Sequence, residues 1–181
     1  SVNTTSSSDR RHGIRQWFGR TPGKLMLDAE IEHISRHLPQ MFGYQLLQVG
    51  QLSSADMLAG SLILHRTIVD IDAQSSGPPC PRIRGSADAL PIASDSVDVV
   101  VLPHVLEFES RPHEALREAQ RVLVPEGNLL ICGFNPWSLL GLWRNVLNHR
   151  GSVPWRGEFF GLSRVRDWLA LLGFDVMGVD N

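Results

Sequence analysis

The residues best suited to chemistry stand just after short apolar runs that read as buried strands. Gly50 closes the run Tyr44-Gln-Leu-Leu-Gln-Val, with Gln48 and Gln51 beside it. Asp70 and Asp72 end the run that starts at Leu62. His104 and Glu107 follow Asp98-Val-Val-Val-Leu102-Pro103. A glycine in a strand-to-helix turn can take a positive φ and let the backbone approach a ligand; the plainer role is a tight turn. Asp70 is a ready hydrogen-bond acceptor, or equally an N-cap for a following helix. An imidazole at His104 could take a proton from an acceptor hydroxyl or amine, or simply hydrogen-bond a neighbouring loop. Glu107 is the second catalytic candidate, against the alternative of a solvated charge at a helix start.

These residues need a scaffold that aligns strand ends. Leu27, Ile31, Ile34 and Leu38 are spaced as one apolar helix face, entered near Thr21-Pro22 and stopped before Pro39. Val99-Val-Val-Leu102 is a continuous apolar run, as in the centre of a parallel sheet covered on both faces. Pro112 suits the first position of a helix whose inner face is Ala115, Leu116, Ala119, Val122 and Leu123. Pro125-Glu-Gly127 reads as a turn and Asn128–Gly133 as another strand. Trp137–Asn148 carries a helical pattern; Ser163 is expected to cap a last helix, with Gly173 past its end and a strand over Phe174–Val179. Strands alternating with helices imply right-handed crossovers and ligand binding beyond the strand C-termini. The positions to watch are therefore 48–54, 70–72, 86–88, 102–107 and 134–137.

Composition narrows the function classes. Seventeen Lys and Arg against nineteen Asp and Glu give a net charge of -2, so the chain is not built to coat nucleic acid. With 181 residues, 43% of them hydrophobic, it is long enough for one well-buried domain. Two cysteines, Cys80 and Cys132, exclude a disulfide framework and paired-cysteine zinc sites. No apolar run approaches the ~20 residues of a membrane span, and the first residues lack a secretory pattern, which points to the cytoplasm. Residues 1–20 read as a flexible segment; the basic cluster Arg10, Arg11, His12 and Arg15 beside Trp17 and Phe18 suits phosphates or a membrane surface, or a solvated tail. The domain then covers 21–181.

Three segments carry a resemblance. They are Ile83-Arg-Gly-Ser-Ala-Asp-Ala-Leu-Pro-Ile92, Ser94-Asp-Ser-Val-Asp-Val-Val-Val101 and Leu116-Arg-Glu-Ala-Gln-Arg-Val-Leu-Val-Pro-Glu-Gly-Asn-Leu-Leu-Ile131. Together they resemble the class I S-adenosylmethionine-dependent methyltransferases, in the type 11-like branch that runs G-D-A-x-x-L-P-F, D-x-S-F-D-x-V, L-x-E-x-x-R-V-L-x-P-G-G. Leu102-Pro-His-Val-Leu-Glu-Phe108 and Gly133-Phe-Asn-Pro-Trp-Ser-Leu139 are similar to a bacterial subfamily with a degenerate glycine motif.

The resemblance implies a three-layer Rossmann-like fold, with S-adenosylmethionine as cofactor and methyl transfer as reaction. By position it puts Gln48, Gly50 and Gln51 at the methionine end and Asp70, with Asp72 the near alternative, at the ribose. Ser86, Ala87 and Asp88 then flank the adenine, and Pro103, His104 and Leu106 face the sulfonium and acceptor. The chain departs from the family pattern at three places. Gln48 stands where an acid is usual, Leu52 and Ser54 where glycines are usual, and Ser86 where an adenine-contacting acid is usual. These losses keep a second reading open, a weak or inactive relative acting as a binding or regulatory partner.

Asn135-Pro136-Trp137 is similar to the N-P-P-Y signature of amine methyltransferases, but follows the fifth strand where that signature follows the fourth. Residues 134–160 are the expected lid and substrate region, with Trp137, Trp143 and Trp155 as an aromatic wall or as plain packing. The expected acceptor is a small molecule or a protein, with nucleic acid disfavoured. The family's seventh strand has no counterpart before Asn181, so the sixth is expected to have an open edge, covered by further chain or by a second copy.

Overall fold

The computed structural model describes residues 7–21, 23–72, 77–133 and 161–178. Helices α1 (Ser7–Phe18) and α2 (Gly23–His37) lead the chain. Strands β1 (Gln45–Val49), β2 (His65–Asp70), β3 (Arg82–Arg84) and β4 (Val97–Pro103) follow. Then come α3 (Pro112–Val122), β5 (Leu123–Cys132) and α4 (Leu162–Leu171). The sheet runs β3-β2-β1-β4-β5 with every pair parallel. The chain thus starts mid-sheet, moves outward to β3, and returns on the other side of β1. The order reverses between β1 and β4, which opens a crevice at their C-terminal ends.

Alternation along the central strands builds the layers. Leu47, Val49, Val100 and Leu102 meet Ala115, Leu116, Ala119 and Val122 of α3 on one face. Leu46, Val99 and Val101 meet Ile34 and Leu38 on the other, along with Met57, Leu58 and Ile63. A third cluster joins Ile14 and Phe18 of α1 to Leu27 of α2, and to Leu52 and Phe108 from the loops after β1 and β4. This last cluster fastens both N-terminal helices over the strand ends. Full burial of such a side chain contributes about 1.5–3 kcal/mol, so five of them hold the helices firmly.

Helix α4 leans on the α3 layer through Val165, Trp168, Leu169 and Leu172. It ends as expected at Gly173, whose φ is +79; Gly173 N donates to Ala170 O at 3.0 Å and Phe174 N to Leu169 O at 2.9 Å.

The structure departs from the sequence reading at several points. Residues 7–18 of the expected flexible segment form a helix, because Ile14 and Phe18 share a face and find apolar partners. Pro125-Glu-Gly127 is a bulge inside β5 rather than a turn between elements: Val97 pairs with Leu123 but Val99 with Asn128, and Glu126 takes φ +67. Gly161, not Ser163, occupies the N-cap of α4. Residues 174–178 form no strand, so the described sheet has five strands and no sixth. Residues 50–64 cross from β1 to β2 through turns without a helix, pinned by Arg66, which donates to Asp56 at 3.1 Å and to Leu58 O at 2.9 Å. The Trp137–Asn148 pattern and the 134–160 lid lie outside the described residues. Among the described residues no helix is long and apolar enough to cross a membrane.

Candidate functional site

Three strand ends converge under α1. At the end of β1, Gly50 takes φ +77 and its N–H donates to Val69 O at 2.8 Å, tying the turn to β2. A Cβ built on Gly50 would lie 2.6 Å from Arg11 Nη2 and 3.0 Å from Ile71 Cδ1, so conformation and close approach both require glycine. Gln48 is buried and its side-chain amide donates to Gly50 O at 2.7 Å. The residue that replaces the usual acid therefore holds the glycine turn. Gln51 is also buried; its Oε1 accepts from Arg82 at 2.6 Å and its amide donates to Ser53 O. Leu52 is fully buried in the third cluster, under α1. Ser54 is exposed.

At the end of β2 the two aspartates divide. Asp70 Oδ1 accepts from Asp72 N at 3.1 Å, and Oδ2 has no partner among the described residues. Asp72 is committed: Arg11 Nε donates to it at 2.8 and 3.1 Å and Arg15 Nη2 at 2.8 Å. Its carboxylate is only 5% exposed, so this is a largely desolvated pairing. Arg11 also donates through Nη1 to His104 O at 3.0 Å. One α1 side chain thus bridges the ends of β2 and β4.

His104 follows β4 in the left-handed region, with φ +48, and is fully buried. Its Nδ1 lies 3.1 Å from Glu107 Oε1 and its Nε2 3.0 Å from both oxygens of Glu30 on α2. Burial alone would push the imidazole down; the charge of Glu30 and the hydrogen bonds to Glu107 and Glu30 outweigh it, and the pKa is pushed up to about 10. At neutral pH the ring is an imidazolium with both N–H groups donating. In that state it has no lone pair with which to accept a proton. The same two glutamates, after burial itself, push the Cys132 thiol up, away from thiolate chemistry.

The remaining predicted positions lie along the same rim. Ser86 bridges to Ala89, and Ala87 is buried. Asp88 reaches outward to Arg111; a hydrogen bond from Ser86, and after it Arg111, hold its carboxyl below the usual value. Pro103 and Leu106 are buried at the β4 end. A hollow of about 230 Å³, lined by Leu64, His65, Arg66, Pro79, Cys80 and Pro81, sits at the opposite, N-terminal strand ends and takes no part in this constellation.

Sequence reasoning missed Arg11 and Glu30. Glu30 could have been found, since it stands three residues after Leu27 and four before Ile34, on the buried face of α2. Arg11 was visible only as one of several basic residues in a polar segment. Its role depends on partners 61 and 93 residues away.

A methyltransferase-domain family model matches residues 53–131, a stretch that begins just past the glycine turn. The chain is 38% identical over 161 residues to the uncharacterized protein YafS of Escherichia coli (strain K12), covering 89% of this chain and 65% of that one. It therefore spans just under two thirds of that relative. It is 28% identical over 127 residues to the ubiquinone/menaquinone biosynthesis C-methyltransferase UbiE of Roseobacter denitrificans, covering 69% of this chain and 48% of that one. The fold is similar to the crystal structure of an S-adenosylmethionine-dependent methyltransferase from Thermotoga maritima, with TM-score 0.65 and 17% identity over 92% of this chain and 82% of that one. With the reversal of strand order between β1 and β4, these likenesses show a Rossmann-like fold shared with solved methyltransferases, in which residues 53–131 are similar to a methyltransferase domain.

Proposed function

We propose that the chain binds S-adenosylmethionine across the ends of β1, β2 and β4 and transfers its methyl group to a small-molecule or protein acceptor. The observation that carries this reading is the pairing of a positive-φ Gly50 with Asp70 on the neighbouring strand, whose Oδ2 has no partner among the described residues. The donor set suits the cofactor. Asp70 can accept from two vicinal hydroxyls.

The cofactor supplies an electrophilic methyl on a sulfonium. The chain's own contribution is positioning and exclusion of water, since Leu52, Phe108 and Phe18 close the crevice from the α1 side. Ser86, Ala87 and Asp88 border the adenine in this reading, and Gln48 and Gln51 shape the methionine end. His104 and Glu107 serve as a latch between α2 and the end of β4. The acceptor's proton then leaves by another route, a revision of the role expected from sequence, as is the commitment of Asp72 to Arg11 and Arg15.

That latch favours a second reading, a protein that binds the cofactor without transferring its methyl. Calorimetric titration with S-adenosylmethionine and S-adenosylhomocysteine tests the first part of both. Micromolar binding that disappears in Asp70→Ala is the expected result. The loss should cost only about 0.5–1.5 kcal/mol of stability, the worth of one hydrogen bond. Unaltered binding in Asp70→Ala would remove the site assignment.

A further inference from the structure

One side chain of α1 stands over the ends of three strands. Arg11 donates through Nε to Asp72, just past β2, and through Nη1 to His104 O, just past β4. Its Nη2 fills the space over Gly50 at the end of β1, where a Cβ built on the glycine would lie 2.6 Å away. Both backbone polar groups of Gly50 are bonded within the chain, the N–H to Val69 O and the carbonyl to the Gln48 amide. A ligand laid across these three strand ends therefore meets the guanidinium first. The helix is held down by a second bond to Asp72, from Arg15 at 2.8 Å, and by Ile14 and Phe18 in the third cluster. The grip is incomplete at its tip: Arg11 Nη2 is buried with no hydrogen-bond partner among the described residues. A buried guanidinium N–H left unpaired is costly, and lifting it into water removes that cost.

We propose that α1 is an autoinhibitory lid: Arg11 plugs the strand-end crevice, and a ligand enters only when the Arg11 end of the helix lifts and the guanidinium leaves the space over Gly50. The inference rests on the binding reading above and adds a regulatory step to the same site. The pivot is the other end of α1, where Phe18 is 2% exposed and the turn at 19–22 joins the helix to α2. Phe18 stays packed as the helix lifts, so the crevice keeps its apolar wall on that side. The closed helix holds apparent affinity down, and whatever loosens α1 raises it; a lid open about one tenth of the time weakens binding about tenfold.

The test is calorimetric titration of the native chain, Arg11→Ala and Ile14→Ala with S-adenosylhomocysteine. Ile14 is fully buried, so its truncation loosens α1 without touching a polar group of the crevice. Both variants should bind roughly tenfold more tightly than the native chain. Unchanged or weaker binding in Arg11→Ala overturns the lid while leaving the cofactor site standing. Tighter binding in Arg11→Ala but not in Ile14→Ala assigns the effect to the guanidinium alone and overturns movement of the helix. Failure of all three proteins to bind overturns the functional reading and this inference together. Hydrogen exchange on the native chain reads the movement without a variant: S-adenosylhomocysteine at saturation should speed exchange in the first half of α1 and leave α3 unchanged. Unchanged or slower exchange there would contradict the lid.

Discussion

Replacing His104 with glutamine tests the charge cluster that joins α2 to the end of β4. The native ring is fully buried and stands 3.0 and 3.1 Å from two carboxylates. Glutamine fills a similar space but carries no charge, so Glu30 and Glu107 are left facing each other with Glu107 only 5% exposed. Breaking a buried pair from one side costs about 3–5 kcal/mol, a large part of the ~5–15 kcal/mol that holds a domain together. The sign of the pH dependence follows from the raised pKa. His104 titrates near 10 when folded, against about 6.5 when unfolded. Between those values the folded state binds more protons, so its stabilisation is complete below about pH 6.5 and is lost as pH rises through about 10. Urea unfolding followed by tryptophan fluorescence at about pH 6, 8 and 9.5 should show a gap between native and His104→Gln that narrows as pH rises. A gap below about 1 kcal/mol at neutral pH, or one that stays constant across the window, would refute the latch.

Two further substitutions separate the turn from its anchor. Gly50→Ala places a Cβ at φ +77 against Arg11 and Ile71, so it should cost about 1–2 kcal/mol from the backbone alone, read by thermal melting, and should abolish S-adenosylhomocysteine binding by calorimetry. Leu52→Ala removes a fully buried side chain shared by α1 and α2, and should cost about 2–5 kcal/mol, with faster hydrogen exchange in α1 before any change in α3.

How much of this was legible depended on the range of the forces involved. The Val99–Leu102 run, the α3 face and the Gly173 stop are written in periodicities and single residue types, so sequence places them within a residue or two. That Gly50 and Asp70 stand at strand ends was legible, because an apolar run closed by glycine or aspartate marks such an end. Helix α1 was not, because Arg11 and Arg15 look like solvent-facing charge until Asp72 is folded against them. The latch was half visible: His104 and Glu107 are neighbours in sequence, whereas Glu30 is 74 residues from His104. An isolated histidine after a strand suggests a base, and only its second carboxylate turns it into a fixed cation. Phe174–Met177 has the composition of a strand, but the Schellman turn at Gly173 leads into residues that pair with no strand of the described sheet.

The most direct test of the central claim is a crystal structure of the chain grown with S-adenosylhomocysteine. The account predicts the ligand across the ends of β1, β2 and β4, with its ribose hydroxyls on Asp70. Crystals that stay empty at saturating ligand, or a ligand seated at the opposite strand ends by Leu64 and Pro81, would contradict it.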